Sequence, residues 1–261
     1  MTALARLLEQ RSIGEVKLLF DSAGVARLRE SGALKVRIPR GSHEAILINT
    51  GGGIAGGDAF SFEISVGENA CLTVTSQAAE RVYRTLGPEA SIRTSLSVEA
   101  GASLLWLPQE TILYDGSALR RAYSVHLAEG ARFLGVEPIV FGRREMGEKV
   151  ETLHLKDSWR MWRGDSLAHA EELNMGPRLP SSAAALAGAG AIATILYLAE
   201  DAESRIDAVR GTLGDKSGAS AWNGKLIARL LAKDGFSLRK QIISALAALA
   251  GPEALPKIWT F

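Results

Sequence analysis

The segment Asn49-Thr50-Gly51-Gly52-Gly53-Ile54-Ala55-Gly56-Gly57-Asp58 combines residue types and spacing that could do chemistry. Gly51, Gly53 and Gly56 satisfy G-x-G-x-x-G, the fingerprint of a dinucleotide-binding turn. That chemistry needs a helix after the turn, because the pyrophosphate rests on the helix N-terminus. Here Phe60, Phe62, Ile64 and Val66 alternate with small or polar residues, the period of a half-buried strand. No Lys-Ser/Thr follows the glycines, which also excludes a P-loop. Gly52, Gly53, Gly56 and Gly57 are therefore expected to form a side-chain-free crossing between two strands, where backbones pack closely. Asp58 is the group in this segment left with chemistry to perform.

Further polar residues interrupt apolar stretches. Gln77 follows Thr75-Ser76, and Gln109 and Glu110 follow Pro108. Glu137 stands inside Gly135-Val136-Glu137-Pro138-Ile139, Arg143 and Glu148 bracket a short charged turn, and Glu171 lies in His169-Ala170-Glu171-Glu172. Charges in strand-rich stretches cost several kcal/mol if buried unpaired. They either pair, as Arg143 could with Glu137 or Glu148, or line a wet channel. Paired carboxylates could also act as the acid and base of a glycosidase, which makes a β-solenoid carbohydrate-active enzyme the alternative function. The four histidines are scattered without metal-ligand spacing, and there is no Gly-x-Ser-x-Gly elbow. Trp159-Arg160-Met161-Trp162-Arg163 reads as an edge or interface patch.

The elements that must position these groups show a repeat. Val66-Gly67-Glu68-Asn69-Ala70-Cys71-Leu72, Val98-Glu99-Ala100-Gly101-Ala102-Ser103-Leu104 and Leu127-Ala128-Glu129-Gly130-Ala131-Arg132-Phe133 align without gaps, 32 and then 29 positions apart. Asn69, Gly101 and Gly130 share the fourth place, and all tolerate positive φ, so each segment is expected to turn left-handed between two strands. A fainter copy sits at Glu30-Ser31-Gly32-Ala33. A period near 30 with strand-turn-strand content predicts stacked coils, each burying its apolar face on its neighbours. Past about residue 180 the texture changes. Pro177, Pro180 and the Ala/Gly-rich run 183–191 form a loose connection. Ile192 to Val209 recur at helical spacing, Ser220 could cap a second helix with Trp222, Leu226 and Leu230, and Ser237 a third with Leu238, Ile242 and Leu246.

The chain of 261 residues is 47% hydrophobic, carries a net charge of +1 with both signs interspersed, and has 6% aromatics, which argues against a nucleic-acid surface. A lone cysteine, Cys71, excludes an internal disulfide, fits a reducing compartment and reads as a small core or strand residue. No stretch suits a membrane span, and Arg6, Glu9 and Arg11 around Leu7-Leu8 do not make a signal peptide. The expected location is the cytoplasm.

Taken together, Asn49-Thr50-x-Gly52-Gly53-Ile54-x-Gly56-Gly57-Asp58, Thr75-x-Gln77 with Tyr83-Arg84, Leu107-Pro108-Gln109-Glu110-Thr111-Ile112, Gly142-Arg143 with Gly147-Glu148, and Leu255-Pro256-Lys257-x-Trp259 resemble the urease accessory family UreD, called UreH in some bacteria. The motifs come in the family's order. Lys257 stands where an Arg is expected, and keeps its charge. The resemblance implies one domain over 1–261: mainly β, with a β-helical, solenoid-like body over about 14–178 and a C-terminal pair or trio of amphipathic helices over about 190–251. It implies a non-catalytic scaffold in nickel insertion that binds apo-urease and UreF, with the GTPase UreG docked through UreF. It also implies an internal path for Ni²⁺ in transit, with no permanently bound cofactor. On that reading Asp58, Glu137, Glu148 and Glu171 are candidate lining acids, with Asp58 and Glu148 as transient metal ligands. Gln77 and Gln109 are candidate neutral lining, and Arg143 orients the acids. Trp159, Trp162 and Trp222 are candidate partner contacts.

Overall fold

The computed structural model describes residues 11–178 and 186–259. Arg6 to Glu9, and residues 179–185 of the connection with Pro180 and Ala183, lie outside the described residues. The chain opens with the hairpin β1 (Ile13–Asp21) and β2 (Gly24–Gly32), followed by β3 (Leu34–Arg37) and β4 (Glu44–Asn49). Coils then repeat: β5 (Ala59–Val66), β6 (Cys71–Ser76) and β7 (Glu80–Val82); β8 (Ala90–Val98), β9 (Ser103–Leu107) and β10 (Thr111–Leu113); β11 (Ser117–Leu127) and the long β12 (Arg132–Phe141). A hairpin of β13 (Leu153–Arg163) and β14 (Ser166–Met175) ends the stack.

These strands form three walls. The first runs β14-β13-β11-β8-β5-β1-β2 and the second includes β12-β9-β6-β4-β3. The third is narrow: Ile54, Val82, Leu113 and Phe141 align through Ile54–Val82 and through the parallel pairs β7–β10 and β10–β12. The stacked strands are parallel, as in a solenoid, and the outer strands β2, β3 and β14 are antiparallel to their neighbours.

The repeat is in register. Val66 lies beside Val98 and Val98 beside Leu127, while Leu72, Leu104 and Phe133 align on the second wall. Asn69, Gly101 and Gly130 have φ of 56°, 67° and 68°, so all three turns are left-handed as expected. Each rests on the next, Asn69 N–H donating to Ala100 O and Gly101 N–H to Glu129 O. The copy at Gly32 is not equivalent: its φ is also positive, but β2 runs against β1, so this turn sits at the edge of the first wall where β1 and β5 begin, opposite the other three. Inward residues alternate strictly along β11, where Leu119, Val125 and Leu127 are buried.

The C-terminal part carries two helices, a pair as expected, but not all of the segments read as helical form them. Residues Ile192 to Leu196 belong to strand β15 (Ala191–Leu198), antiparallel to β12. Of the first expected helix only α1 (Ile206–Arg210) forms. The second is a hairpin of β16 (Gly218–Trp222) and β17 (Lys225–Ala232), turned by Asn223 and Gly224, both at positive φ. The third forms as α2 (Gly235–Ala250), capped by Asp234 rather than Ser237: the Asp234 carboxylate accepts from the Ser237 N–H at 2.7 Å. Its buried stripe of Leu238, Ile242, Ala245, Leu246 and Leu249 packs over the second wall, in a core with Leu134, Val136, Ile195, Leu226 and Trp259. Cys71 lies in a strand but is exposed, not in the core.

A Cβ at Gly101 would fall 2.4 Å from the Asn69 side chain, at a φ that disfavours branched residues. Gly101→Val is expected to lower stability by about 2 kcal/mol, read as a shifted midpoint in chemical denaturation.

Candidate functional site

The glycine segment joins β4 to β5 through one residue of the third wall, Ile54. No helix follows it. A Cβ at Gly53 would meet the Tyr83 ring at 2.5 Å, and the Tyr83 hydroxyl donates to Gly52 O at 2.9 Å. Asp58 is 3% exposed. Its carboxylate accepts from Ser12 N–H at 2.7 Å and Ala55 N–H at 2.8 Å. Oδ1 therefore ties the loop to the start of β1 and Oδ2 closes the loop on itself, and Asp58 is not part of the cavity lining described next.

A narrow cavity of about 70 Å³ runs inside the solenoid, lined among others by Asn49, Ser76, Glu80, Trp106, Gln109, Thr111, Arg121, Tyr123 and Glu137. Its charged centre is a buried cluster. Arg121 Nη1 lies 2.6 Å from Glu137 Oε1 and donates to Thr111 Oγ1 at 3.0 Å, while Nη2 donates to Asp157 Oδ2 at 2.5 Å. The Tyr123 hydroxyl donates to Glu137 Oε2 at 2.5 Å, and its ring stacks on Trp159 at 3.8 Å. Arg121, Glu137 and Asp157 are each no more than 4% exposed. Asp157 Oδ1, Gln109 Nε2, Trp106 Nε1 and Ser117 Oγ are buried without a hydrogen-bond partner.

Burial pushes the Glu137 carboxyl up to about 7, against the pull of Arg121, and the like charge of Asp157 adds to the rise. Burial works against the Arg121 charge too, but Asp157 and Glu137 outweigh it and hold the guanidinium protonated. Burial also raises the Tyr123 phenol, which stays a neutral donor. Glu80, bonded to Asn49 Nδ2 at 3.0 Å, is likewise raised by burial.

Of the residues named from sequence, Glu137 and Gln109 share this cavity. Gln109 Oε1 accepts from Arg239 at 2.9 Å, and Arg239 also stacks over Trp259. The others lie elsewhere. Gln77 is exposed. Arg143 pairs with Glu148 at 2.9 Å, not with Glu137, on an open outer groove with Tyr83, Arg84, Tyr114 and Asp115. Burial opposes the Glu148 charge, but bonds from Arg143 and from backbone amides hold it below the usual carboxylate range. Glu171 sits on β14 against His169 and Arg229. Asp58 and Glu148 thus have separate partners, and among the described residues no group of three or more Asp, Glu, His or Cys side chains is arranged to hold a metal. Trp159 is interior, 3% exposed, because it alternates inward with Leu155 and Met161; it cannot meet a partner. Trp162 is half-buried on the outside, stacked on His126 at 4.6 Å, and Trp222 is 42% exposed.

Arg121, Tyr123 and Asp157 were missed from sequence. The signal was available: Arg121 and Tyr123 share the parity of Leu119 and Val125, Asp157 that of Leu155 and Trp159, and Arg121 faces Asp157 in register. The acids of the carbohydrate-enzyme reading, Glu137 and Glu148, do not pair: Glu137 is sealed in the interior beside Asp157, and Glu148 lies on the outer groove with Arg143. A cavity of about 70 Å³ is too small for a sugar ring, since ligand pockets span roughly 300–1,000 Å³.

The UreD urease accessory protein family matches residues 13–260. The chain is 43% identical over 270 residues to the urease accessory protein UreD of Rhizobium leguminosarum bv. trifolii, with 99% of each chain covered. It is 42% identical over 276 residues to UreD 1 of Brucella anthropi, covering 99% of this chain and 98% of the relative. To UreD 1 of Brucella melitensis it is 41% identical over 259 residues, covering 95% and 92%.

Because folding raises the Glu137 carboxyl from its ordinary 4.5 to about 7, its stabilising contribution is fully present below about pH 4.5 and is lost as pH rises through 7. Glu137→Gln is expected to flatten the fall in unfolding free energy between pH 5 and 8, measured by denaturant titration. An unchanged slope would remove Glu137 as its source.

Proposed function

The chain belongs to the UreD urease accessory protein family, and we propose that it serves urease maturation as a non-catalytic scaffold and nickel conduit. In this reading it binds apo-urease and UreF in the cytoplasm, with UreG joined through UreF. Ni²⁺ is cargo in transit, and no cofactor is permanently held.

The observation that carries the conduit reading is a group of oxygen donors facing an interior cavity whose lining is otherwise largely apolar, with Leu34, Leu47, Ile54, Phe60 and Phe62. Carboxylate, hydroxyl and amide oxygens of Glu137, Thr111 and Gln109 face one narrow cavity. No cysteine or histidine lies among the cavity's lining residues. Soft or imidazole ligands would bind Ni²⁺ tightly, whereas spaced oxygens give weak sites that an ion can leave. Asp58, Gln77, Arg143, Glu148 and Glu171 lie outside this cavity: Asp58 fixes the loop before β5, and the Arg143–Glu148 pair the turn after β12. Trp162 and Trp222, exposed or half-exposed, remain the candidate partner contacts.

The test is co-expression of the urease operon with Glu137→Gln at equal accessory-protein level. Urease nickel content, measured by elemental analysis, is expected to fall at least tenfold. Full nickel content in urease would remove the interior route.

A further inference from the structure

We propose that the Arg121 guanidinium is a built-in surrogate cation, filling the position between Glu137, Asp157 and Thr111 at which a divalent ion would otherwise lodge. The inference deepens the nickel-transit reading and rests on it.

The geometry is that of an occupied cation site. Glu137 Oε1 at 2.6 Å and Thr111 Oγ1 at 3.0 Å converge on Nη1, and Asp157 Oδ2 at 2.5 Å meets Nη2 of the same guanidinium. Three oxygens from three coils thus face one cation. Asp157 Oδ1 is buried without a partner, so the cluster holds an acceptor oxygen that Arg121 does not use. Two carboxylates, a hydroxyl and water are the hard donor set that divalent ions such as Mg²⁺, Mn²⁺ and Ni²⁺ accept. Without the guanidinium, two buried acids side by side would chelate such an ion.

Arginine suits this role better than any other cation. It cannot be deprotonated in a protein, so unlike a lysine or histidine it never becomes a metal ligand. Its planar fork spans both acids at once, which a point-charge ammonium cannot. An ion entering the cavity therefore meets acids already neutralised on one side. It passes through weak contacts instead of settling. Arg121 is a positioning residue that acts on the cargo through Glu137 and Asp157.

The experiment uses the full-length chain and Ni²⁺ itself. Wild type, Arg121→Met and the double variant Arg121→Met/Glu137→Gln are loaded with NiCl₂, desalted and assayed for metal. Wild type is expected to release its nickel. Arg121→Met should retain about one equivalent more and show a nickel-dependent rise in thermal midpoint. The double variant should lose both gains. Where Arg121→Met does not fold, Arg121→Lys keeps a charge in the interior but reaches one acid only, and should retain nickel between the two extremes. Retention no higher than wild type in Arg121→Met and Arg121→Lys overturns the proposal. Retention by these variants, with normal urease loading by Glu137→Gln in cells, would leave the surrogate cation standing and remove the conduit. No retention, with failed loading by Glu137→Gln, would do the reverse.

Discussion

Every inward side chain of a parallel solenoid is enclosed by the coils on either side, so a charge placed there must find its partner one coil away. Arg121 and Asp157 are neighbours in register on β11 and β13, and Glu137 reaches the same guanidinium from β12 on the facing wall. An uncompensated charge at such a place costs several kcal/mol. The three ionic residues therefore hold one another, Thr111 adds a bond to Arg121, and Tyr123 adds one to Glu137. The strand registers, the left-handed turns and the glycine crossing all have to be right before these groups can meet. That dependence makes the buried cluster a check on the alignment of the coils as well as a chemical feature of the cavity.

The body of the fold was legible because its signal is periodic and local. Asn69, Gly101 and Gly130 occupy equivalent turns, and the strands on either side of them stack as the repeat requires. The C-terminal part was less legible for two different reasons. β15 is buried along nearly its whole length, between β12 and β17 and beneath α2, which erases the alternation that separates a strand from a buried helix. The β16–β17 hairpin, by contrast, carried Asn223-Gly224, a strong turn signal, amid apolar residues that also fit a helical spacing. The third helix was correct because its apolar stripe and terminal Gly251 agree, although its cap is Asp234 and not Ser237.

The candidate site was legible only in part, since motif residues and cavity residues are different sets. The family motifs gather at loops: Asp58 fastens the glycine crossing, Arg143 and Glu148 fasten a turn, and Gln109 and Glu110 receive Arg239 from α2. Loops need particular side chains to satisfy particular backbone amides, and this produces recognisable local patterns. The interior acids and Arg121 obey no local pattern. They are defined by parity and by coil-to-coil register, which become visible only when the strands are aligned as walls.

The antiparallel outer strands have a consequence of their own. A stack of parallel coils is open-ended in principle, because each coil is a template for the next. Here β2 and β3 close one end and β14 closes one wall of the other, each running against its neighbour. A second copy of this chain approaching end-on would meet strands of the wrong direction to continue the parallel coil. Reversing the outermost strands thus fixes the number of coils and keeps a fibre-like architecture finite.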